Sequence, residues 1–327
     1  MAGDGGTKAV VAALLANTGI AITKFVAWAL TGASSMLAEA IHSVADSGNQ
    51  VLLLVGGRRA QRQATPEHPF GYGRTRYVYA FVVAIVLFTV GGLFALYEAY
   101  HKYEEVHAGE PNQLLESRWW WVPIVVLLAA IVMETFSFRT AIVESNKVRA
   151  RQSWVQFVRR AKAPELPVVL LEDLGALVGL VLALAGVGLT LLTGNGYWDV
   201  AGTAAIGVLL VIIAIVLALE MSSLLIGEGA GRADVERIEA ALVADPRVRR
   251  LIHMKTLYLG PEELLVAAKL DLGESTSAEE VALVIDSVER QVRESVPVAR
   301  VIYLEPDVFR ADYRPEVRPV PPAPAGH

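Results

Sequence analysis

The stretch MLAEAIHSVADSGNQ (36–50) places His42 and Asp46 four residues apart, with Glu39 one turn earlier, in a run otherwise dominated by small and apolar residues. On a helix that spacing stacks His42 and Asp46 on one face. A second apolar run, PELPVVLLEDLGALVGL (164–180), carries Glu172 and Asp173 among Val and Leu. No basic residue stands beside either group in the sequence. A charged carboxylate at bilayer depth costs about 3 kcal/mol on insertion scales unless it is paired, protonated or metal-bound. Two carboxylates and an imidazole converging from two helices suit a divalent cation, and zinc accepts such mixed N and O donors. The same groups titrate, so the site can also carry protons.

Other polar residues read differently. A single intramembrane His or Asp can simply hydrogen-bond a neighbouring helix; His42, Asp46 and Asp173 together weigh toward an ion. Glu134, with Arg139 five residues on, reads as half of a structural pair or as a solvated-cavity residue. Lys24 reads as a side chain that snorkels to the membrane interface, and Asn17 as an interhelical hydrogen bond.

The elements that must hold these residues are apolar helices. The chain has 327 residues, 54% hydrophobic and only 19% charged. Its mean hydropathy of +0.44 is above that of a soluble globular protein, whose apolar share is lower. Six runs are long enough to span a bilayer, which takes about 20 residues: roughly 8–30, 36–57, 77–100, 119–143, 166–192 and 197–220. The first continues past the short apolar core of a cleaved leader, so it reads as a retained span. Basic residues crowd two links, with Arg58, Arg59, Arg62, Arg74 and Arg76 in one and Lys147, Arg149, Arg151, Arg159, Arg160 and Lys162 in the other. The link between them instead holds Glu104, Glu105, Glu110 and Glu116. Basic loops stay cytoplasmic, so both termini are expected there, in a multi-pass protein of the plasma membrane. HPFGYGR (68–74) reads as a structural turn, with Arg74 and Arg76 anchoring at lipid headgroups. A net charge of -5 suggests no nucleic-acid partner, and the absence of cysteine removes disulfides and thiolate ligands.

After Gly227 the texture changes. Val235, Ile238 and Leu242 recur at helical spacing. Two strands follow, and Val266, Ala268, Leu270 and Leu272 alternate with polar or small residues at the period of a half-buried strand. Ser277 and Glu280 form a capping box for a helix expected to bury Val281, Ile285, Val288 and Val292. VARVIYLEP is a last strand. The order αββαβ makes a ferredoxin-like α+β domain, small enough to gain from pairing. The expected organisation is a six-helix membrane domain over 1–228, an αββαβ dimerisation domain over 229–310, and a disordered tail over 311–327.

Six spans, SMLAEAIHSVADSGNQ, the loop HPFGYGRTRY and the αββαβ tail together resemble the cation diffusion facilitator family, in its zinc transporter nine-like branch. The resemblance covers about residues 8 to 307. It implies divalent metal efflux coupled to inward proton movement by homodimers, without enzymatic activity or a resident cofactor; the metal ion is cargo. By position, the family's second-span pair falls on His42 and Asp46. Its fifth-span Asp falls on Asp173, but Val169 stands where the family usually has His. Glu172, about 100° round the helix, is then a fourth ligand or a proton carrier. The expectation is a proton-coupled zinc exporter, with metal at His42, Asp46, Asp173 and Glu172. The alternatives are a manganese or iron exporter, or a membrane metal sensor or scaffold that does not transport. With His253 alone in the folded tail, no strong regulatory metal site is expected there.

Overall fold

The computed structural model describes residues 18–149, 151–273 and 277–311. Asn17, the start of the first expected span and the tail from Asp312 lie outside them. The chain divides into two compact units. The first comprises the residues up to Glu228 together with Tyr258–Glu262, and the second comprises the rest.

The first unit is helical: α1 (described over Thr18–Thr31), α2 (Ser34–Ala60), α3 (Thr75–His107), the short α4 (Gln113–Glu116), α5 (Trp121–Arg149), the short α6 (Trp154–Arg160), α7 (Glu165–Thr193) and α8 (Tyr197–Ile226). Four of these, α3, α5, α7 and α8, are long and apolar enough to cross a membrane. The 27 residues of α2 would reach about 40 Å at the α-helical rise, but its polar face lowers its apolar content. The described part of α1 is shorter.

Local chemistry sets the helix ends. Gly194 ends α7 in the left-handed conformation, φ +68°, which glycine adopts without steric cost. Asp199, buried at the start of α8, caps α2 from across the bundle. It accepts from the Ser34 amide at 2.9 Å and from the Ser34 and Ser35 hydroxyls. This occupies donors that a helix start would otherwise leave unpaired. The core is a seam of Ala, Val and Leu that includes Met36, Tyr77, Leu180, Ile206 and Leu217. Helices α3 and α8 meet at glycine: a Cβ on Gly207 would lie 2.7 Å from Leu96. Small residues let membrane helices approach this closely.

The second unit runs α9 (Arg232–Leu242), β1 (Arg250–Gly260), β2 (Glu263–Asp271), α10 (Ala278–Ser295) and β3 (Ala299–Asp307). The sheet order is β1-β2-β3, with β2 and β3 parallel. The Ser277–Glu280 capping box is formed in both directions. The buried stripe of α10 is Val284, Val288 and Val292, so the helix is turned slightly from the expected face, and Val281 and Ile285 are only half-buried at its edge. Asp271, at the end of β2, is buried and accepts from the Gly273 amide at 3.0 Å.

Candidate metal site

Helices α1, α2, α5 and α7 surround a cavity of about 50 Å3. That is room for a few waters or an ion with its ligands, given that one water needs about 10–15 Å3 by the same measure. Its walls are mostly polar: Lys24 from α1; Ser43, Asp46 and Gln50 from α2; Glu134 and Ser137 from α5; Glu172 and Asp173 from α7, with Val169 beside them.

The expected donors share this region but are turned to different partners. Asp46 is half-buried, and its Oδ2 lies 3.4 Å from His42 Nε2 one turn back. His42 is buried, and neither of its ring nitrogens has a hydrogen-bond partner among the described residues; the same holds for Asp46 Oδ1. The imidazole is outside the cavity lining and lies toward α3, where a Cβ on Gly91 would come within 3.8 Å of Nδ1. Gly91 belongs to a π-helical stretch, Leu87–Leu93, a local widening of the helix that recurs at functional sites. Glu172 accepts from the Asn49 side-chain amide at 2.7 Å, and Asp173 from the Ser137 hydroxyl at 2.9 Å. Among the described residues no three His, Asp or Glu side chains lie close enough together to hold a metal ion. Drawing Asp46, Asp173, His42 and Glu172 onto one ion therefore requires side-chain rotation away from Asn49 and Ser137.

Two sequence readings change. Lys24 does not snorkel: its ammonium is buried 2.9 Å from Glu39 Oε2 and 2.8 Å from the Ser43 hydroxyl. The carboxylates thus have a cation among them that the sequence separates by a whole helix. Of the two readings open for Glu134 the cavity one fits, because Glu134 lines the cavity and no ion pair to Arg139 is found among the described residues. Arg76 pairs with Glu165 at the start of α7 instead of being left for lipid headgroups. The loop at 65–72 is a compact turn, with Thr65 and His68 exchanging backbone hydrogen bonds at 3.0 and 3.2 Å. Asp199 and the π-helical stretch were missed; the Gly91–Gly92 pair was the available signal for the latter.

The family model for the cation efflux transmembrane domain matches residues 10–226. The chain is 33% identical over 266 residues to the mitochondrial proton-coupled zinc antiporter SLC30A9 of Xenopus laevis, covering 81% of this chain and 46% of that protein. The human counterpart is 31% identical, covering 81% and 45%. Metal tolerance protein C4 of Arabidopsis thaliana is 28% identical, covering 81% and 56%. The chain spans about half the length of these relatives. The vertebrate names say mitochondrial, which gives no support to the plasma membrane expected from the sequence. The matched domain and the spanning helices make this a multi-pass membrane protein, and the chain belongs to the cation efflux (cation diffusion facilitator) family, in its zinc transporter nine-like branch.

Proposed function

We propose that the chain exports a divalent metal ion, zinc foremost, in exchange for protons, and that the ion is held between α2 and α7 by His42, Asp46, Asp173 and Glu172. One observation carries the reading. Buried donor atoms of His42 and Asp46 have no hydrogen-bond partner among the described residues, although buried polar groups are nearly always paired. Asp46 also shares a cavity with Asp173 and Glu172. Imidazole and carboxylate must shed protons to coordinate, so metal and protons compete for the same atoms. Alternating access follows if the bundle rocks about this site. In this reading residues 1–228 form six spans, with both termini on the side of the basic loops, in a membrane that holds a proton gradient. Residues 229–310 pair two copies. The vertebrate relatives, named as proton-coupled zinc antiporters, support zinc and proton coupling.

A second reading, manganese or iron as cargo, draws on the cavity walls. Their donors are carboxylates from Asp46, Glu134, Glu172 and Asp173, while His42 is not among them. Oxygen-rich sites favour harder ions.

The test is metal-driven proton flux in proteoliposomes across a panel of divalent ions, with Asp46→Asn alongside. Flux with zinc, lost in the variant while insertion is unchanged, supports the proposal. Manganese or iron flux without zinc flux favours the second reading. Metal binding without any flux would mean a sensor or scaffold. Wild-type flux by Asp46→Asn would remove the site.

A further inference from the structure

A groove of about 720 Å3 opens between α5, α7 and α8 beneath the short helix α6. Its walls are Phe138, Ile142, Leu170, Leu174, Val216 and Leu219, and its polar residues are Arg159 and Glu220. The sequence explains the roof. Ser153 and Gln156 form a capping box that starts α6, and Phe157 is driven into a cluster with Ala141 and Leu170. That anchoring leaves Trp154, Val155 and Val158 along the groove. Trp154 is clamped from outside by the Arg149 guanidinium, 4.1 Å from its ring.

Three of the walls are helices long and apolar enough to cross a membrane, and the lining is mostly apolar, so water is not a stable filling. Its mouth lies at the C-terminal ends of α5 and α8 and the N-terminal end of α7, where the basic residues gather. Arg159 is 72% exposed and only loosely met by Glu220 at 3.7 Å. Arg151 and Arg160 are exposed nearby. The lining itself holds one arginine and one acid, but the stretch 145–164, which includes α6, carries six basic residues and no acid. A zwitterionic lipid carries its own cation beside the phosphate; an anionic lipid leaves the phosphate charge for a guanidinium, whose fork matches phosphate oxygens.

We propose that this groove binds an anionic phospholipid, with an acyl chain lying beneath α6 and the phosphate held at Arg159. Basic pockets between membrane helices are a recurrent setting for such headgroups.

The experiment uses the full chain in phosphatidylcholine vesicles containing a rising fraction of phosphatidylglycerol with brominated acyl chains. Bromine quenches tryptophan on contact. Subtracting the quenching of Trp154→Phe isolates the groove from the other five tryptophans. The Trp154-dependent quenching should reach half its maximum at a mole fraction about five-fold lower than with brominated phosphatidylcholine, the effect of about one arginine near an anionic lipid. Arg159→Gln should abolish the preference and Arg159→Lys should keep most of it. Should Trp154→Phe not insert, Leu219→Trp adds a reporter on the opposite wall, and the quenching gained should show the same preference. Equal quenching by both lipids would mean ordinary surrounding lipid and overturn the proposal. So would a preference that survives Arg159→Gln. Quenching by neither would also overturn it, because the groove is then covered by protein, a second copy included.

Discussion

Lys24 Nζ lies 2.9 Å from Glu39 Oε2, with both side chains inside the helix bundle. Removing one partner of such a pair strands the other charge and typically costs about 3–5 kcal/mol; replacing both with apolar residues is often neutral. The second Glu39 oxygen has no hydrogen-bond partner among the described residues. It packs where a Cβ on Gly179 would sit 2.7 Å away, so the carboxylate has little room to find another partner. Lys24→Met and Glu39→Gln should each lower the thermal midpoint of the detergent-purified protein. Lys24→Met combined with Glu39→Met should recover most of the loss. A double variant as unstable as Lys24→Met would show that packing around Lys24, and not the charge pair, holds this corner.

His42 gives a second test. Its ring touches Asp46 at 3.4 Å and otherwise has no hydrogen-bond partner among the described residues. His42→Asp should keep part of the transport and move ion preference from zinc toward manganese, because imidazole suits zinc and carboxylate suits harder ions. Competition among ions in the flux assay reads this directly. An unchanged ion profile would place His42 outside the ligand set.

The sequence shows how residues share a helix, and that much was legible. His42 and Asp46 stack because four residues make about one turn, and the Ser277–Glu280 box forms because both members lie within one turn. It does not show how far each helix is rotated against the next. Lys24 meets Glu39 across 15 residues, Glu172 meets Asn49 across 123, and Asp199 meets Ser34 across 165. Each of these pairings is decided by packing of the apolar faces, which fixes rotation only once all the helices are in place. The reading of Lys24 as a snorkelling residue failed for that reason. The start of α6 is legible in the same way, since SWVQ carries the same capping pattern as the Ser277–Glu280 box.

Val169 stands one turn before Asp173, and the structure puts both on the wall of the cavity. Val169→His would add a nitrogen donor facing the carboxylates, giving a two-His, two-carboxylate set of the kind zinc accepts. The added polar group meets the cavity and not lipid, so expression should change little. Zinc should bind about ten-fold tighter, equivalent to roughly 1.4 kcal/mol, as read by calorimetry in detergent. Val169→His combined with Asp173→Asn should lose the gain. A variant that inserts well and binds zinc no better would mean that Glu172, released from Asn49, already fills that position.

The second unit offers a pH test of its own. Asp245, buried in the turn after α9, accepts both arms of the Arg247 guanidinium at 2.9 and 2.7 Å and the Arg247 amide at 3.1 Å. These hydrogen bonds hold its carboxyl well below the usual carboxylate range, against the opposing effect of burial. A carboxylate whose folded value is depressed adds stability above its unfolded value and loses it as the pH falls toward the folded one. A fragment spanning Gly231 to Arg310 is expected to fold as a dimer without added metal, since His253 is its one histidine. Its urea midpoint should fall as the pH drops through the carboxylate range and below. Asp245→Asn should lower the midpoint at about pH 7 and flatten that fall, so that the gap between the two proteins narrows steadily as the pH drops below the usual carboxylate range. Parallel pH curves for the two would show that the acid sensitivity resides elsewhere. A fragment that orders only when zinc is titrated in would show that its fold depends on a metal.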